Sequence, residues 1–600
     1  MKRLGILVLL LTLAAGVIGA TGTQTDGRLL LREVTYTLNA DGSWIRDFHQ
    51  LMRYNTHTAT RRMGETFILY NPEFQKLEAI QSVTTMKDGT RVVLPENATN
   101  PVLPRAAHEH PGFSHLREMV VTHTGLERGA VVDFTYRLIT DANFQPGFAV
   151  TESLAEALPM DRLVIKVKAD AGRQLAYTAA TEIEPKVTEK DGKKIWTWVI
   201  ENLPPACAEP HMPNDQAKVL LIGERRSWES ILKPLDDPAV LSGTLQERLK
   251  EMAHDTIAVA DRVVKVGKMV DQAVDLCEVP LNLSGWRYRS PEQVWKLHSG
   301  TALEKALLYH AALKSAGLSS RILVYSNRGW LDAEGPVLPQ VEGFLVEVHE
   351  DDERSWYLDP MGNMKGLLPH NLAGTATYRV GQNRFERLPV FRADQNLVDL
   401  RGEWRVDGPD KVGGWLEVEL TGAWLNTAEV MENAGKAAQK IVQPFLPLGK
   451  MEVESIRAVT PSSLRVRFTL ESVEFDCLAP GVLACRNPQI PHFGSDMIAL
   501  DRRLSVLAMP HPFQVKIAIK VVSGKKVRLE QSGKDALVES GGAAFSRSQQ
   551  SLPEGGSLFS WALTVPARIE TGQYPNFRSL AAKALRPGFW FTLVFPDSKR

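Results

Sequence analysis

The sequence predicts a multidomain, mainly β chain in which a central α+β part stands between two β-rich, sandwich-like parts. Three observations carry that prediction. Six hundred residues exceed what one hydrophobic core usually serves and fit about three or four domains. Apolar and polar residues alternate along most of the chain, the period of half-buried strands. Between Leu245 and Cys277 the apolar period lengthens to three and four residues, as in an amphipathic helix.

The chain opens on MKRLGILVLLLTLAAGVIGATG, where Lys2 and Arg3 precede an apolar run from Leu4 to Ile18 and small residues follow at Gly19 and Ala20. This order predicts a secretory signal peptide over residues 1–20, because an uncleaved anchor needs about 20 apolar residues and the run is shorter. No cysteine near the cleavage point offers a lipid attachment site, and no later run is long enough to span a bilayer. The mature chain is therefore expected to be soluble and exported. Seventy basic residues balance seventy acidic ones, so no global field draws the chain toward nucleic acid, anionic lipid or acidic substrates.

The first β-rich domain is expected over residues 28–240. Val34, Tyr36 and Leu38 alternate before NADGSW; MKDGTRVVL turns at Asp88-Gly89 before Val92; EKDGKKIWTWVI turns at Asp191-Gly192 into Ile195, Thr197 and Val199. The α+β domain is expected over 245–385. Val263, Val266, Val270, Val274 and Cys277 recur at helical steps, which places Cys277 on a buried helix face, as a small hydrophobe.

The next helix has the best-marked start in the chain. In SGTALEKALL, Thr301 and Glu304 have the spacing of a capping box, with Ala302 as the first helical residue, and Gly317 supplies the stop. A thiol in that first turn would face unpaired backbone N–H groups and the positive end of the helix dipole, which favour a thiolate. Position 302 carries a methyl group instead. RILVYS, GFLVEVH and SWYLD then read as strands.

After a linker at 388–399, the last β-rich domain is expected over 395–600. GWLEVELTG alternates, NTAEVMENAGKAAQKIV is helical, and SLRVRFTLE, FQVKIAIKVV, SLFSWALTV and FWFTLVF read as strands, with no internal sequence repeat. Cys477 and Cys485 bracket CLAPGVLAC, whose Pro480-Gly481 favours a tight reversal, so a local disulfide is expected between them in an oxidising compartment. A metal site recruiting His492 is the weaker rival, since two thiols and one His fall short of four ligands. Whether Cys207 and Cys277 pair is left open by their contexts.

Gly300, Thr301, Ala302, Leu303, Glu304, Lys305 and Ala306, followed by Gly317 and SSRILVY, resemble a motif of bacterial transglutaminase-like proteins, which share the papain-like fold. The family pattern is Gly-Asp-Cys-Lys-Asp-Lys-Ala. The resemblance puts the family's Cys at Ala302, its His at Phe344 in VEGFLVEVHEDDERSWYLDP, and its Asp at Asp359 before Pro360. ENLPPACAEPHMP, with Glu209 and Pro213, and the later Trp228 are similar to the closing motif of an N-terminal domain of unknown function found in exported members. The resemblance thus implies a transglutaminase-like core with a degenerate triad, the frame of a periplasmic pseudoenzyme.

Two functions follow. The first is a non-catalytic binding or scaffold module of the cell envelope that takes an envelope protein or a peptide-like ligand, with no cofactor and no metal. The second is an amide hydrolase or acyltransferase that uses another constellation near the helix start, built from Ser299 or Thr301 with His298. His349, five residues beyond Phe344 and beside a charged turn, is expected to be exposed, and His310 to be a satisfied core histidine. No phosphate-binding Gly loop, His-Glu-x-x-His or Gly-x-Ser-x-Gly elbow occurs.

Overall fold

A computed structural model describes residues 25–595 apart from the short stretches 180–181, 238–240, 254–257, 329–330, 332–337, 352–353, 363–365, 410, 524–526 and 554. The expected signal peptide over 1–20 lies outside the described residues. The chain is mainly β and multidomain, with an α+β core between β-rich parts. Among the described residues no helix is long and apolar enough to cross a membrane.

Alternation builds the first part. Val131–Thr140 (VVDFTYRLIT) buries every second side chain on one face of an eight-stranded sheet. Trp44, Phe134, Ile165 and Trp198 meet in the core that this face covers. Two three-stranded sheets complete the unit.

The last part is built on another eight-stranded sheet, and the two sheets share a topology. In the first, Gly27–Leu38 runs parallel to Met160–Asp170; in the last, Leu397–Gly408 runs parallel to Phe513–Ser523. Outward from the earlier strand of each pair come its hairpin mate (Trp44–Tyr54; Lys411–Thr421), then Val131–Thr140 or Ser463–Leu470, then Gln75–Thr85 or Met451–Thr460. Outward from the later strand come Lys193–Leu203 or Ser557–Val565, then Lys186–Lys190 or Ala543–Ser551. A helix follows the second strand in both, His57–Arg62 and Thr427–Val442. The flanking parts are thus structural repeats that carry no sequence repeat. A four-stranded sheet and the helix Tyr574–Ala584 add to the core of the last part.

The core between them has a five-stranded antiparallel sheet in the spatial order Ser355–Leu358, Gly343–His349, Ser320–Ser326, Ala376–Arg379, Arg384–Arg387. The helix Ala302–Ser315 packs on one face and is buried throughout from Leu303 to Leu313. A helix apolar on nearly all sides belongs in an interior, and the helices Gly243–Ala253 and Val259–Ala273 enclose it. Its end is a Schellman closure: Leu318 N donates to Leu313 O at 2.9 Å and Gly317 N to Lys314 O at 3.1 Å, with Gly317 at φ +69°.

The first part grips both others. Residues 105–116 dock on the core, where Ala107, Phe113 and Leu116 bury against Cys277, Val279 and Leu283. Residues 209–216 dock on the last part. Glu209 accepts from Leu504 N at 2.8 Å, Ser505 N at 2.9 Å and Ser505 Oγ at 2.6 Å, beside the buried Arg503, and Arg568 pairs with Asp215 at 2.8 Å.

Two expectations are corrected. Cys277 is buried but not on a helix face, because the helix ends at Ala273 and Cys277 N instead donates to Gly300 O at 2.8 Å. The Cys477–Cys485 disulfide is not formed, and all four cysteines are free thiols. The reversal at Pro480-Gly481 does form, but its register sets Cys477 opposite Leu483. Cys485 is then the diagonal neighbour, at about 7–8 Å, beyond the Cα separation a disulfide bridges. Cys477 is exposed and Cys485 is buried.

Candidate functional site

The start of the central helix is held from three directions. The preceding helix, Pro291–Leu297, ends on His298 in a left-handed conformation (φ 52°). Ser299 and Gly300 then form a short parallel bridge with Asp275 and Leu276. Gly300 has little room, since a Cβ there would stand 2.8 Å from Val294 Cγ1. The capping box follows as expected: Thr301 Oγ1 accepts from Glu304 N at 3.3 Å, and Thr301 N donates to Glu304 Oε2 at 2.9 Å.

Glu304 does more than cap. Its side chain is 2% exposed and forms a bidentate pair with Arg289, Nε to Oε1 at 2.8 Å and Nη2 to Oε2 at 2.7 Å, while Arg289 N also donates to Oε1 at 2.8 Å. A buried carboxylate needs such partners. Arg289 in turn donates to Ser299 O at 3.1 Å and stands 4.8 Å over the Phe113 ring. Sequence reading places the cap but not this pair, whose partner lies in another loop.

Ala302 sits at the first helical position with its methyl half-buried against the core. Phe344 is 2% exposed on its strand, and its ring meets Trp286 edge-on at 6.2 Å. Asp359 follows the strand Ser355–Leu358 and accepts from Met361 N at 2.9 Å. Burial pushes the Asp359 carboxyl up, with the charges of Asp271 raising it further and Lys305 opposing. Lys305 is itself sealed inside the core and pairs with Asp271 at 2.6 Å, and Tyr309 OH donates to the same Asp271 oxygen. Asp271 thus joins Lys305 and Tyr309 of the helix, and its charge and that of Lys305 both reach Asp359.

The substitute residues fare differently. His298 is exposed, and its Nδ1 is occupied by Ala273 O at 2.8 Å, so it is not aimed at Thr301. Thr301 is buried as the cap. Ser299 does have an imidazole partner: His110 Nδ1, from the docked segment of the first part, lies 2.8 Å from Ser299 Oγ. Sequence offers no signal for a pair 189 positions apart. His310 is buried with Nδ1 at 2.9 Å from Ser320 Oγ. His349, expected to be exposed, is half-buried between Ser355 Oγ at 3.2 Å and Glu347 Oε2 at 3.5 Å.

Comparison with known proteins agrees with this architecture. Residues 40–206 match the DUF3857 family, a domain of unknown function. No curated protein matches the chain. A crystal structure of a protein from Parabacteroides distasonis, provisionally designated a protease, is similar over 95% of this chain and 99% of its own, with a TM-score of 0.73 at 20% identity. An M1 zinc metallopeptidase from Deinococcus radiodurans aligns over 40% of this chain and 54% of its own at 13% identity, but its TM-score of 0.20 carries no fold relationship. The chain therefore has the fold of the Parabacteroides protein and contains a region similar to the DUF3857 domain.

Proposed function

We propose that this chain is an exported bacterial protein whose transglutaminase-like core, over about 245–385, is a non-catalytic binding or scaffold module of the cell envelope. The β-rich parts over 28–240 and 395–600 serve as its flanking contact domains, and the leader is cleaved near residue 20. One observation carries the reading: the positions that the resemblance gives to a nucleophile and its base hold a half-buried methyl and a sealed aromatic ring, Ala302 and Phe344. Neither side chain can hold or move a proton, and a shared fold supplies no activity without its site. The envelope location rests on the leader sequence alone and is tested by N-terminal sequencing of the exported protein.

The experiment is an amidase, peptidase and acyl-transfer assay on the purified chain, run beside the double variant Ala302→Cys/Phe344→His. The chain itself is expected to be inactive. Robust turnover that persists in Asp359→Asn would sink this reading.

The contact between His110 and Ser299 favours a second reading, a hydrolase with Ser299 as nucleophile and His110 as base. Among the described residues no carboxylate meets the other ring nitrogen of His110 to orient it, which a working triad requires. Labelling of Ser299 by a fluorophosphonate, lost in His110→Ala, would establish it; no labelling would remove it.

A further inference from the structure

The segment that covers the start of the central helix is a loop with clamped ends. Residues 103–116 join the strands Thr99–Val102 and Arg117–Thr122, which pair with each other so that Val102 stands opposite Glu118. The loop leaves and re-enters the sheet at neighbouring positions, the form of a compact Ω-loop. Its backbone bonds are its own: Ala107 N donates to Pro104 O at 2.9 Å, His110 N to Ala107 O at 3.1 Å, Phe113 N to His110 O at 2.9 Å and Leu116 N to Phe113 O at 3.1 Å. Among the described residues no backbone hydrogen bond joins it to the core.

A short set of side-chain contacts holds it down. Ala107, Phe113 and Leu116 bury against Cys277, Val279 and Leu283, while Arg105, His108, Glu109 and Pro111 stay exposed. His110 Nδ1 lies 2.8 Å from Ser299 Oγ, and the Cys277 thiol reaches Ala106 O only at 3.9 Å. Gly112 rests on Arg289, since a Cβ there would stand 2.5 Å from Nη1, and the Phe113 ring lies 4.8 Å from the same guanidinium. A unit that carries its own backbone hydrogen bonds can lift without stranding a buried amide. Lifting then costs the re-exposure of three apolar anchors and the surface beneath them, together with one imidazole–hydroxyl contact and one cation–π contact.

We propose that residues 103–116 are an autoinhibitory strap that lifts as one body, and that the surface beneath it is a groove for a peptide. Its floor is apolar, formed by Cys277, Val279 and Leu283, and Ser299 and Arg289 supply a hydroxyl and a cationic plane at its rim. The resident segment identifies the class of ligand: a peptide with an aromatic residue in the place of Phe113, stacked by the guanidinium, and a hydrogen-bonding group in the place of His110. The inference deepens the binding-module reading and rests on it.

Alkylation of Cys277 in the full chain by iodoacetamide, read by peptide mass spectrometry, measures the lifting. The residue is 2% exposed while the strap is down, so its thiol reacts only once uncovered. Slow labelling with little urea dependence is expected in the unaltered chain, under conditions where the amides of Leu303–Leu313 stay protected. Phe113→Ala should quicken it at least about tenfold, and a synthetic peptide spanning residues 104–117 should slow it again in that variant, saturably. Exchange of the Leu303–Leu313 amides checks that the variant is folded; His110→Ala carries the test if Phe113→Ala is not. The strap is overturned if Cys277 labels no faster in a folded variant, or reacts only as those amides exchange. The peptide groove is overturned if the peptide gives no protection. Turnover assays bear on Ala302 alone, so an active chain refutes the non-catalytic reading and leaves the strap standing, while an immobile strap leaves that reading standing.

Discussion

Replacing Arg289 by Met should unseat the start of the central helix. Glu304 is 2% exposed and has four donors: Thr301 N, Arg289 N, and the Nε and Nη2 of Arg289. The substitution removes the last two and leaves a buried carboxylate on two backbone amides. Breaking a buried pair from one side costs about 3–5 kcal/mol. Two surviving donors and the 19% exposure of the Arg289 side chain favour the lower end, about 3 kcal/mol. Loss of the contact over Phe113 adds about 0.5–1 kcal/mol.

The assay is urea unfolding together with hydrogen exchange of the amides from Leu303 to Ser315. Exchange localises the loss in a chain whose parts need not unfold together. The double variant Arg289→Met/Glu304→Gln should recover at least half of the loss, since the orphaned charge is gone while the amide can still cap. A loss below about 1 kcal/mol in Arg289→Met, or a double variant no more stable than the single one, would refute the argument that the pair holds a buried charge in place.

Other outcomes follow from the same geometry. His123, held between Ser82 Oγ at 2.8 Å and Thr66 Oγ1 at 2.9 Å, has its pKa pulled by burial from 6.5 to about 4. Its neutral form therefore contributes stability that is present above pH 6.5 and is lost as pH falls toward 4, at most about 3 kcal/mol; His123→Gln should flatten that slope in urea unfolding, and an unchanged slope counts against it. Glu209→Ala strips three hydrogen bonds and leaves Arg503 uncompensated, so exchange at Leu504 and Ser505 should quicken at least tenfold, a loss of about 1.4 kcal/mol or more. Alkylation in denaturant without reductant should modify all four cysteines; a mass two hydrogens short at Cys477 and Cys485 would restore the disulfide.

Local signals were read well from the sequence and distant ones were not. The capping box at Thr301, the stop at Gly317 and the turn at Pro480-Gly481 each depend on a few neighbouring residues, and all three form. Cys277 shows the limit of periodicity: it continues the spacing of Val270 and Val274, but the helix ends first and the chain turns to pair with Gly300. Register decides the cysteine pair, since a shift of two positions along a hairpin separates residues that a loop-length argument brings together. The His110–Ser299 contact and the Arg289–Glu304 pair arise from packing between segments distant in sequence or in loops without pattern. The repeated sheet topology escapes sequence comparison for a related reason. Strand order is set by which edges meet, and many alternating sequences satisfy one order.

With residues 105–116 docked, access to the helix start would require that segment to lift. His110 sits on Ser299, Phe113 lies under Arg289, and Gly112 leaves so little space that a Cβ there would come within 2.5 Å of the Arg289 guanidinium. A molecule that seeks Ser299 competes with the chain's own segment. If the undocked form is one molecule in a hundred, the apparent affinity falls about a hundredfold below the intrinsic one. Whatever loosens the first part from the core would then act as a gain control on the first turn of a helix nearly two hundred residues downstream.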